Sequence, residues 1–573
     1  MRRLEQNRRV LIVMCGVSLA FTALAGRLVQ LHVLRHERLR AEAAANHNVV
    51  VKREGRRGEI RDCNGNLLAN SQSVRIVCAD PAVTATNAAA VAAQLAPLLN
   101  MDGAALQKRL AGAGRYVRLK QKVDEDTVQR IRGLRLKGIS FEDQFLRVYP
   151  HGALGSHLIG FVDANHKGVQ GVEAAMDQYL AGVAGYETIQ RDRKGREVRA
   201  LRMAGIEPRD GCHVVLTLDQ VIQHIAEAEL EVAMREFRPQ AGMIIVSRPG
   251  TGEILAMAVR PTFDPNRPGD ASADARRNRC ISDVAEPGST FKVVSIAGAL
   301  NDGAVRLQDV FHCENGAFLY AGRILHDAHP YGPLTVEQIL YKSSNIGAAK
   351  IALKMGAARL HEYIRRFGFG RRTGIGLPGE ASGIAHPLAQ WTKLSISRIP
   401  MGHEIAVTPI QMLMAVNAIA NGGRLMRPLV VKQVVDGEGR TVVEFRPQVV
   451  GQPISASTSL MMTAALRRVP TPDGTAPLAA MDGYDVAGKT GTAQKIENGQ
   501  YVRKYYSSFV GYLPAAAPEI SILVTLDDPG GGRYYGGSVA GPVFRRVAEK
   551  LVEYLGIPPQ KPLSGSRQVA SAR

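Results

Sequence analysis

The sequence predicts an α+β fold in which helices pack on an antiparallel sheet, with one apolar helix at the N-terminus. Apolar runs at 243–246 and 254–259, separated by a Pro-Gly turn, indicate a β-hairpin. A second pair of strand-like runs, 508–512 and 520–526, lies near the other end of the chain. The sequence between the two hairpins is mostly helical. Distant segments are therefore expected to close one sheet, in a single domain at 206–556.

Length and composition limit the class of protein. The chain has 573 residues, of which 45% are hydrophobic and 22% charged, which suits roughly three or four globular domains. This composition excludes a wholly disordered chain, a collagen-like repeat and a polytopic membrane protein. A net charge of +20 favours anionic partners such as nucleic acid, acidic lipid or phosphate-bearing substrates. Six cysteines without a C-x-x-C pair exclude a dense disulfide framework, a zinc ribbon and a thioredoxin-type motif.

The N-terminal segment has four arginines before an uncharged apolar run at 10–25, and apolar residues resume after Arg27 as far as position 34. A cleaved signal peptide would begin in the same way, with 23–25 as its cleavage site. A retained anchor needs about 20 residues, and 10–34 is long enough if Arg27 reaches the outer interface. We favour the anchor, which leaves 1–9 in the cytoplasm and exports 36–573.

The exported part divides into three segments. Residues 36–205 are rich in Arg and Gly and weakly periodic, with an Ala- and Leu-rich helical section at 86–110. Residues 206–556 carry the sheet, and within them Asp219 is expected to cap a helix. Residues 557–573 are polar and predict a disordered tail. Because an exported domain meets neither nucleic acid nor ATP, neither is an expected partner.

The first chemical motif is Ser289-Thr290-Phe291-Lys292, which follows the turn Pro287-Gly288. A helix that begins near Ser289 places Ser289 and Lys292 on one face. A serine hydroxyl becomes a nucleophile when a nearby base takes its proton, and a lysine of lowered pKa can be that base. Taken alone, the motif is far more often an ordinary helix start with an exposed lysine.

The second motif is Ser343-Ser344-Asn345, between helical segments at 334–340 and 348–353. A short polar turn between two helices projects Ser343 and Asn345 into a cleft. Serine and asparagine are also the usual helix-capping residues, and in isolation capping is their commoner role.

The third motif is Lys489-Thr490-Gly491-Thr492. Residues 483–490 also satisfy the phosphate-loop pattern G-x-x-x-x-G-K-T. That pattern needs a buried strand before it and a long helix after it, whereas 478–482 lacks β-branched residues and Asn498-Gly499 predicts a hairpin turn. We therefore reject nucleotide binding. The motif instead predicts a strand at a sheet edge, where small residues let a substrate backbone lie alongside.

In this order and in an exported chain, S-x-x-K, S-x-N and K-T-G resemble the motifs of the penicillin-binding proteins, specifically the class B transpeptidases. Residues 57–69, 147–160 and 171–173 are similar to three boxes of that class's non-catalytic module. Residues 251–266 resemble the opening of its transpeptidase domain. Arg277-Asn278-Arg279 before Ile281 is more similar to the division-specific (FtsI) type than to the elongation type.

The resemblance implies an architecture. It consists of a transmembrane helix at 10–34, an elongated pedestal or dimerisation-type module at 36–205, and a transpeptidase domain at 206–556 with a five-stranded antiparallel sheet and helices on both faces. Two positions depart from the class pattern, Cys63 in the first box and the segment 401–404. The sequence has no glycosyltransferase module, which excludes a bifunctional class A enzyme.

The resemblance also implies a covalent acyl-enzyme mechanism on the D-Ala-D-Ala end of a peptidoglycan stem peptide. Lys292 would deprotonate Ser289, which attacks the carbonyl. Ser343 would relay the proton to the leaving D-alanine, and Asn345 would hold Lys292 and the substrate amide.

The K-T-G strand has the remaining implied roles. Lys489, Thr490 and Thr492 would bind the terminal carboxylate, with Gly491 between the two threonines. The backbone N–H groups of Ser289 and Thr492 would form the oxyanion hole.

No metal or cofactor is implied, and His326 and His329, which flank Asp327 without a third ligand, predict loop histidines. The expected partners are stem peptides, the lipid-linked precursor, penicillin and other β-lactams, and membrane proteins of the division complex including a glycosyltransferase. The alternatives are an elongation-type enzyme, a β-lactam sensor that is acylated without turnover, a division scaffold and a β-lactamase. Three intact motifs and the long N-terminal module favour the transpeptidase.

Overall fold

The computed structural model describes residues 2–40, 48–190 and 203–563. The helices of seven residues or more within these ranges are α1 (Arg2–Val29), α2 (Ala88–Leu99), α3 (Gly103–Leu110), α4 (Glu125–Gly133), α5 (Gln220–Phe237), α6 (Lys292–Asn301), α7 (Val336–Lys342), α8 (Asn345–Met355), α9 (Ala357–Arg366), α10 (Pro409–Ala420), α11 (Ala456–Leu466) and α12 (Gly536–Tyr554). Two short helices, Ala273–Arg276 and Arg279–Ser282, precede the first chemical motif.

The strands of the three larger sheets are β1 (Asn48–Arg53), β2 (Ile60–Arg61), β3 (Leu67–Ala79), β4 (Val117–Val123), β5 (Ile139–Val148), β6 (Gly185–Gln190), β7 (Met203–Ile206), β8 (His213–Leu216), β9 (Ala241–Ser247), β10 (Ile254–Arg260), β11 (Val431–Val435), β12 (Thr441–Glu444), β13 (Ala487–Glu497), β14 (Gln500–Leu513) and β15 (Ile520–Asp527). Short two-stranded ladders, such as Ala317–Tyr320 with Arg323–His326, lie between the helices.

The central sheet has five antiparallel strands in the order β10-β9-β15-β14-β13. The N-terminal hairpin β9–β10 therefore pairs with the C-terminal hairpin through β15, where Leu523 lies opposite Ile245. This confirms that distant segments close one sheet. It also leaves β13, which carries the third motif, at an edge of the sheet.

Helices cover both faces of this sheet. On one face Phe509 of β14 contacts Phe544 of α12, with ring centroids 4.7 Å apart. On the other face the hydroxyl of Tyr512 lies 2.7 Å from Oγ1 of Thr463 in α11. Residues 509 and 512 are an odd number apart in one strand, so their side chains point to opposite sides.

Helix α5 follows the sequence pattern closely. The carboxylate of Asp219 accepts hydrogen bonds from the backbone N–H groups of Val221 and Ile222, which fixes the first turn. Ile222, Ala226 and Leu230, spaced four apart, form its buried face.

By internal packing the chain divides into two units, one of residues 1–56 with 182–210 and one of 57–181 with 211–573. The first contains α1 and the sheet β1-β6-β7. The second contains the central sheet and a seven-stranded sheet in the order β12-β11-β8-β2-β3-β4, with β5 also paired to β3. Residues 57–181, which lie within the module predicted at 36–205, pack in the same unit as the central sheet.

The three segments of that module that resemble the class boxes meet at a buried ion cluster. Glu173 is fully buried and accepts hydrogen bonds from Nε of Arg57 and Nε of Arg147, each at 2.7 Å. The hydroxyl of Tyr149 donates to the same carboxylate at 3.1 Å. Opposite charges and hydrogen bonds compensate the desolvation of all three ionised groups.

Two apolar helical segments are long enough to cross a membrane by length and composition. Leu4–Leu34 has a mean hydropathy of 1.9 and is not buried within the protein. Pro81–Leu99 has a mean hydropathy of 1.3, but a third of it is buried, and α2 packs in a small core with α3 and α4. The first is the segment that the sequence predicts as an anchor.

The predicted disordered tail, 557–573, is wrong for its first residues. Ile557 is buried, and its carbonyl accepts a hydrogen bond from the hydroxyl of Tyr484 at 2.8 Å. The backbone N–H groups of Gln560 and Lys561 both donate to the carbonyl of Gly483. Composition misses these contacts because they depend on tertiary packing. Residues 564–573 lie outside the described part of the chain.

Candidate active site

The first motif occupies a tight turn at the start of α6. Ser289 lies in a 3₁₀ turn, Gly288–Phe291, and Lys292 begins the α-helix directly after it. Gly288 has a φ of +55°, which a residue with a side chain adopts only under strain. Gly402 packs so closely on Gly288 that a Cβ there would lie 2.7 Å from the Gly288 carbonyl carbon. The turn is thus held in place from both sides.

The side chain of Lys292 is fully buried and reaches the hydroxyl of Ser289. Its Nζ donates hydrogen bonds to Oγ of Ser289 at 2.9 Å, to Oδ1 of Asn345 at 2.7 Å and to the carbonyl of Ser343 at 2.5 Å. Burial lowers the pKa of Lys292 from 10.5 to about 7, against a smaller upward effect of Asp327. A substantial fraction of this lysine is therefore neutral at neutral pH and able to accept a proton.

The second motif is the turn between α7 and α8, as the sequence predicts. Ser343 ends α7 in the left-handed region, with a φ of 63°, and Ser344 caps α8 by accepting a hydrogen bond from the N–H of Gly347. A non-glycine residue in that region is uncommon and is found at functional sites. The turn points Oγ of Ser343 at both Lys292 and Lys489.

Lys489 completes the hydrogen-bonded cluster. Its buried Nζ donates to Oγ of Ser343 at 2.9 Å. Burial lowers the pKa of Lys489 well below its usual value, and the positive charge of Lys292 lowers it further. Five predicted residues, Ser289, Lys292, Ser343, Asn345 and Lys489, therefore share one connected network.

Strand β13 carries the rest of the third motif past the nucleophile turn. A Cβ on Gly491 would lie 3.0 Å from the carbonyl oxygen of Pro287 and 2.9 Å from Cγ2 of Thr290, so only glycine permits this approach. Oγ1 of Thr490 lies 3.0 Å from Oγ1 of Thr475. Oγ1 of Thr492 accepts a hydrogen bond from the N–H of Gly536 at 3.0 Å, at the start of α12. The segment forms a strand, as the sequence predicts, and not the loop and helix that a phosphate-binding loop requires.

Asp327 is the site residue that sequence reasoning missed. Its carboxylate accepts hydrogen bonds from Oγ of Ser344 at 2.6 Å, from the N–H of Ile346 at 3.0 Å and from the N–H of Asn345. It thereby fixes the turn that presents Ser343 and Asn345. The signal available was a lone acidic residue between two histidines, which does not reveal a partner seventeen residues away.

The histidines on either side of Asp327 lie in different local structures. His326 ends the short strand Arg323–His326, where the sequence predicts a loop, and its carbonyl accepts a hydrogen bond from Nδ2 of Asn345 at 2.9 Å. His329 lies in a bend, as predicted. Within the described residues no cluster of three or more His, Cys, Asp or Glu side chains could hold a metal ion.

A second polar cluster lies behind the nucleophile turn. Glu286 accepts a hydrogen bond from the N–H of Glu404 at 2.9 Å, and its carboxylate lies 3.2 Å from the hydroxyl of Tyr501. Nδ1 of His403 lies 2.8 Å from that hydroxyl. Burial raises the pKa of Glu286 and lowers the pKa of His403 to about 4. The segment 401–404, which departs from the class pattern, thus packs against the catalytic turn.

Comparisons with known proteins agree with this geometry. Residues 242–549 match the family described as "Penicillin binding protein transpeptidase domain", and residues 52–216 match "Penicillin-binding Protein dimerisation domain". The chain is 32% identical over 570 residues to a probable peptidoglycan D,D-transpeptidase PenA of Neisseria meningitidis, covering 98% of this chain and 95% of that protein. It is 32% identical to the peptidoglycan D,D-transpeptidase FtsI of Escherichia coli, covering 97% and 93% respectively.

A solved structure has the same fold. Penicillin binding protein 3 of Mycobacterium tuberculosis, in complex with ampicillin, is 28% identical with a TM-score of 0.69, covering 91% of this chain and all of that one. The family match covers more than half of the chain, and the relatives match it over nearly its whole length. The chain belongs to the class B penicillin-binding proteins.

Proposed function

We propose that this chain is a serine-type peptidoglycan D,D-transpeptidase that β-lactams inactivate. The observation that carries the proposal is the position of Nζ of Lys292, buried and 2.9 Å from Oγ of Ser289, with its pKa lowered to about 7. A base with a pKa near the working pH is the most effective proton acceptor for a serine nucleophile. The names of the relatives, and the ampicillin complex of one of them, support the same reaction.

In the first step Lys292 takes the proton of Ser289, and Oγ attacks the carbonyl between the two D-alanines of a donor stem peptide. Backbone N–H groups of Ser289 and Thr492 stabilise the oxyanion, where one such donor contributes about 3–4 kcal/mol. The C–N bond then breaks, and the proton passes through Ser343 to the amine of the leaving D-alanine. The product is an ester between Ser289 and the shortened stem.

The K-T-G strand binds the donor before this step. Lys489, with Thr490 and Thr492 beside it, faces the terminal carboxylate and offsets its charge. Asn345 donates to the substrate amide while its oxygen holds Lys292 at 2.7 Å. Gly491 keeps the strand close enough to the nucleophile turn for a donor backbone to lie along the edge of the sheet.

In the second step the amine of another stem peptide attacks the ester and forms the cross-link. Lys292 takes a proton from that amine and returns it to Oγ of Ser289, which leaves as a hydroxyl. Water must be kept out at this stage, because hydrolysis of the ester would make the enzyme a carboxypeptidase.

The cellular role that we propose is septal wall synthesis in cell division. Arg277-Asn278-Arg279 is similar to the division-specific type, and one relative is named FtsI. The segment 10–34 would anchor the chain in the cytoplasmic membrane, with the arginines of 1–9 inside and the catalytic domain outside. Its partners would be the lipid-linked precursor and membrane proteins of the division complex, including a glycosyltransferase.

A product assay tests the proposed reaction. The full chain, with lipid-linked precursor and a glycan polymerase, should release D-alanine and form cross-linked stem peptides, and Ser289→Ala should do neither. A sensor or scaffold would be labelled by penicillin yet form no cross-link. A β-lactamase would instead release hydrolysed penicillin repeatedly, and either result would contradict the proposal.

A further inference from the structure

An aromatic cleft of about 530 Å³ opens on the surface of the catalytic domain. One wall is the tip of the two-stranded ladder Ala317–Tyr320 with Arg323–His326, and the other is the segment 388–396. The start of α9 completes the lining. The lining residues are Tyr320, Ala321, Ala357, Leu388, Trp391, Thr392, Lys393 and Ile396. The proposed reaction uses none of them.

The ladder connects this cleft to the catalytic site. It runs from its tip, where Tyr320 pairs with Arg323, to its base at His326. The carbonyl of His326 accepts a hydrogen bond from Nδ2 of Asn345 at 2.9 Å. The strand from Arg323 to His326 spans about 10 Å. The cleft therefore lies about that distance from the edge of the hydrogen-bonded network around Ser289.

The other wall leads to the nucleophile turn. Beyond Trp391 the chain forms two short helices, Ser395–Arg398 and Ile399–Met401. Gly402 follows directly and packs on Gly288. The cleft and the catalytic site thus lie along the same two segments of the chain.

The aromatic rings of the cleft are held in place. Trp391 donates its indole N–H to the carbonyl of His386 at 3.1 Å. Its ring centroid lies 5.8 Å from that of His361, at an interplanar angle of 76°. The ring of Tyr320 stacks on that of Phe318 with centroids 6.0 Å apart. Rings that are already ordered lose little conformational freedom when a ligand covers them, which favours binding.

Polar groups at the edge of the cleft are available to a ligand. Neither Nζ of Lys393 nor the hydroxyl of Tyr320 has a hydrogen-bond partner within residues 2–40, 48–190 and 203–563. Lys393 is exposed, whereas Trp391 and Tyr320 are half-buried. A sugar ring has an apolar face of C–H groups and an edge of hydroxyl groups. Half-buried aromatic rings beside free polar groups match both features.

We propose that this cleft binds the glycan strand to which a stem peptide is attached, through its β-linked N-acetylhexosamine units. The inference rests on the proposed transpeptidase function, because a stem peptide enters the catalytic site while still attached to its glycan. Three residues of extended stem span about 10 Å, which matches the separation of the cleft from the catalytic site. Leu388 and Ile396 add apolar surface for the acetyl methyl groups.

The size of the cleft favours a sugar over a partner protein. Its volume of about 530 Å³ falls within the range of about 300–1,000 Å³ that is typical of small-ligand sites. A stable protein interface instead covers about 800 Å² on each partner, which is far more surface than eight lining residues provide.

Tryptophan fluorescence tests the proposal, since Trp391 is the one tryptophan of the chain. The full chain in detergent is titrated with chitotetraose, a tetramer of N-acetylglucosamine that carries no stem peptide. Cellotetraose, which has the same linkage without acetamido groups, is titrated in parallel. Chitotetraose should change the emission saturably and bind at least about fivefold more tightly than cellotetraose, because only its acetyl methyl groups are buried.

Variants locate the binding in the cleft. Tyr320→Ala and Trp391→Ala should each weaken chitotetraose binding about tenfold in titration calorimetry, because each removes one aromatic face. Trp391→Phe keeps a ring and should recover most of the affinity. Tyr186→Ala is the matched control, since this tyrosine of β6 is 49% exposed and does not line the cleft. Penicillin labelling of Ser289 reports that each variant is folded.

The same variants connect the cleft to the reaction. With polymerised glycan at a concentration well below saturation, Trp391→Ala should cross-link about tenfold more slowly than the parent, in proportion to its lost affinity. Tyr186→Ala should cross-link at the parent rate.

The outcomes separate the cleft from the underlying function. A parent chain that penicillin labels but whose emission chitotetraose leaves unchanged would overturn the sugar site and leave the transpeptidase function standing. A cleft that serves a partner protein would give that result. Equal affinity for the two tetramers, or undiminished binding in both alanine variants, would also overturn the proposal. A parent that binds chitotetraose but forms no cross-links would contradict the transpeptidase function instead.

Discussion

Lys292 and Lys489 donate hydrogen bonds to the same oxygen, Oγ of Ser343, at 3.1 and 2.9 Å. Both side chains are buried, so the charged form of each lysine is desolvated, and the two Nζ atoms lie close together. Two like charges in such a site repel, and each disfavours the charged form of its neighbour. The two lysines therefore do not both stay charged at neutral pH, and the carboxylate of a bound substrate favours the charged form of Lys489.

The pH dependence of acylation tests this coupling. Because burial lowers the pKa of Lys292 to about 7, the rate of acylation by penicillin should rise with pH through about 7 as the lysine loses its proton. Lys489→Met should leave the ascending limb of the pH–rate profile in place, because burial and not Lys489 lowers the pKa of Lys292, whereas the charge of Lys292 lowers the pKa of Lys489. Stopped-flow labelling of the parent and of Lys489→Met across the neutral pH range measures the ascending limb of each pH–rate profile.

The partly exposed lysine Lys504 provides the control for this experiment. Lys504→Met also removes one positive charge but lies away from Ser343, and its profile should overlay that of the parent. A limb that moves to higher pH in Lys489→Met would show that Lys489 still carries its charge where Lys292 titrates, which would contradict this order of titration.

Asp327 should act through the turn that it holds. Asp327→Asn removes one of the two acceptor oxygens that bind Ser344 and the N–H groups after it, at a cost of about 1–3 kcal/mol. We expect a lower melting temperature and slower acylation. The loss of the negative charge also lowers the pKa of Lys292, so the ascending limb of the pH–rate profile should move to lower pH.

A merely structural role for Asp327 would lower stability without moving this limb. Asp473→Asn is the matched control, because Asp473 is exposed and contacts only Arg468 at 3.8 Å among the described residues. Unchanged acylation and an unchanged limb in Asp327→Asn would rule out the positioning role.

Gly491 should tolerate no side chain. The added methyl of Gly491→Ala would meet the carbonyl oxygen of Pro287 at 3.0 Å, which pushes β13 away from the nucleophile turn. Penicillin acylation should fall by at least about tenfold while the domain stays folded, since displacement of an oxyanion donor typically costs that much or more. Gly250→Ala, at a turn with nothing within 4 Å, should label at the parent rate. Equal rates for both variants would contradict the close approach.

The apparent phosphate loop should bind no nucleotide. Lys489 is the third residue of β13, its Nζ is directed at Ser343, and the element that follows is the strand β14 rather than a long helix. Titration calorimetry with ATP and magnesium should show only weak binding that salt abolishes, as expected of a basic chain. A micromolar, magnesium-dependent site that Lys489→Ala removes would overturn the assignment of this segment.

The N-terminal segment should be retained and should do more than tether the enzyme. Mass spectrometry of the mature protein should find residues 10–34 uncleaved, and a start at Gly26 would contradict the anchor. Ala23 and Gly26 share a helix face on which small residues permit a close approach by another helix. Replacing 10–34 with an unrelated single span should preserve penicillin labelling but impair mid-cell recruitment. Normal recruitment would show that the segment is only a tether.

Local chemistry made much of this site predictable. The Asn498-Gly499 turn, the capping of α5 by Asp219 and the helix–turn–helix around Ser343 all follow from short-range patterns. Contacts made across the fold were not predictable in the same way. Asp327 finds Ser344 only through tertiary packing, and Tyr501 reaches Glu286 from the far side of a hairpin.

The sheets show the same contrast. Strands β9 and β10 are nearly continuous runs of apolar residues, as in other buried strands, so both could be predicted from the sequence. The thirteen-residue strand β3 was missed, because its polar and half-buried residues give no clear period. β3 shares its sheet with β11 and β12, which lie more than 350 residues later in the chain. The assembly of one sheet from such distant segments leaves no local pattern in the sequence.

The most direct test of the account is the identity of the acylated atom. The full chain is treated with penicillin, digested, and the adduct is located by tandem mass spectrometry. We predict one adduct, on Oγ of Ser289. Ser289→Ala should carry no adduct. Lys292→Ala should carry none either, because water cannot replace the missing base at neutral pH. Labelling that persists in Ser289→Ala, or that maps to Ser343 or another residue, would contradict the account.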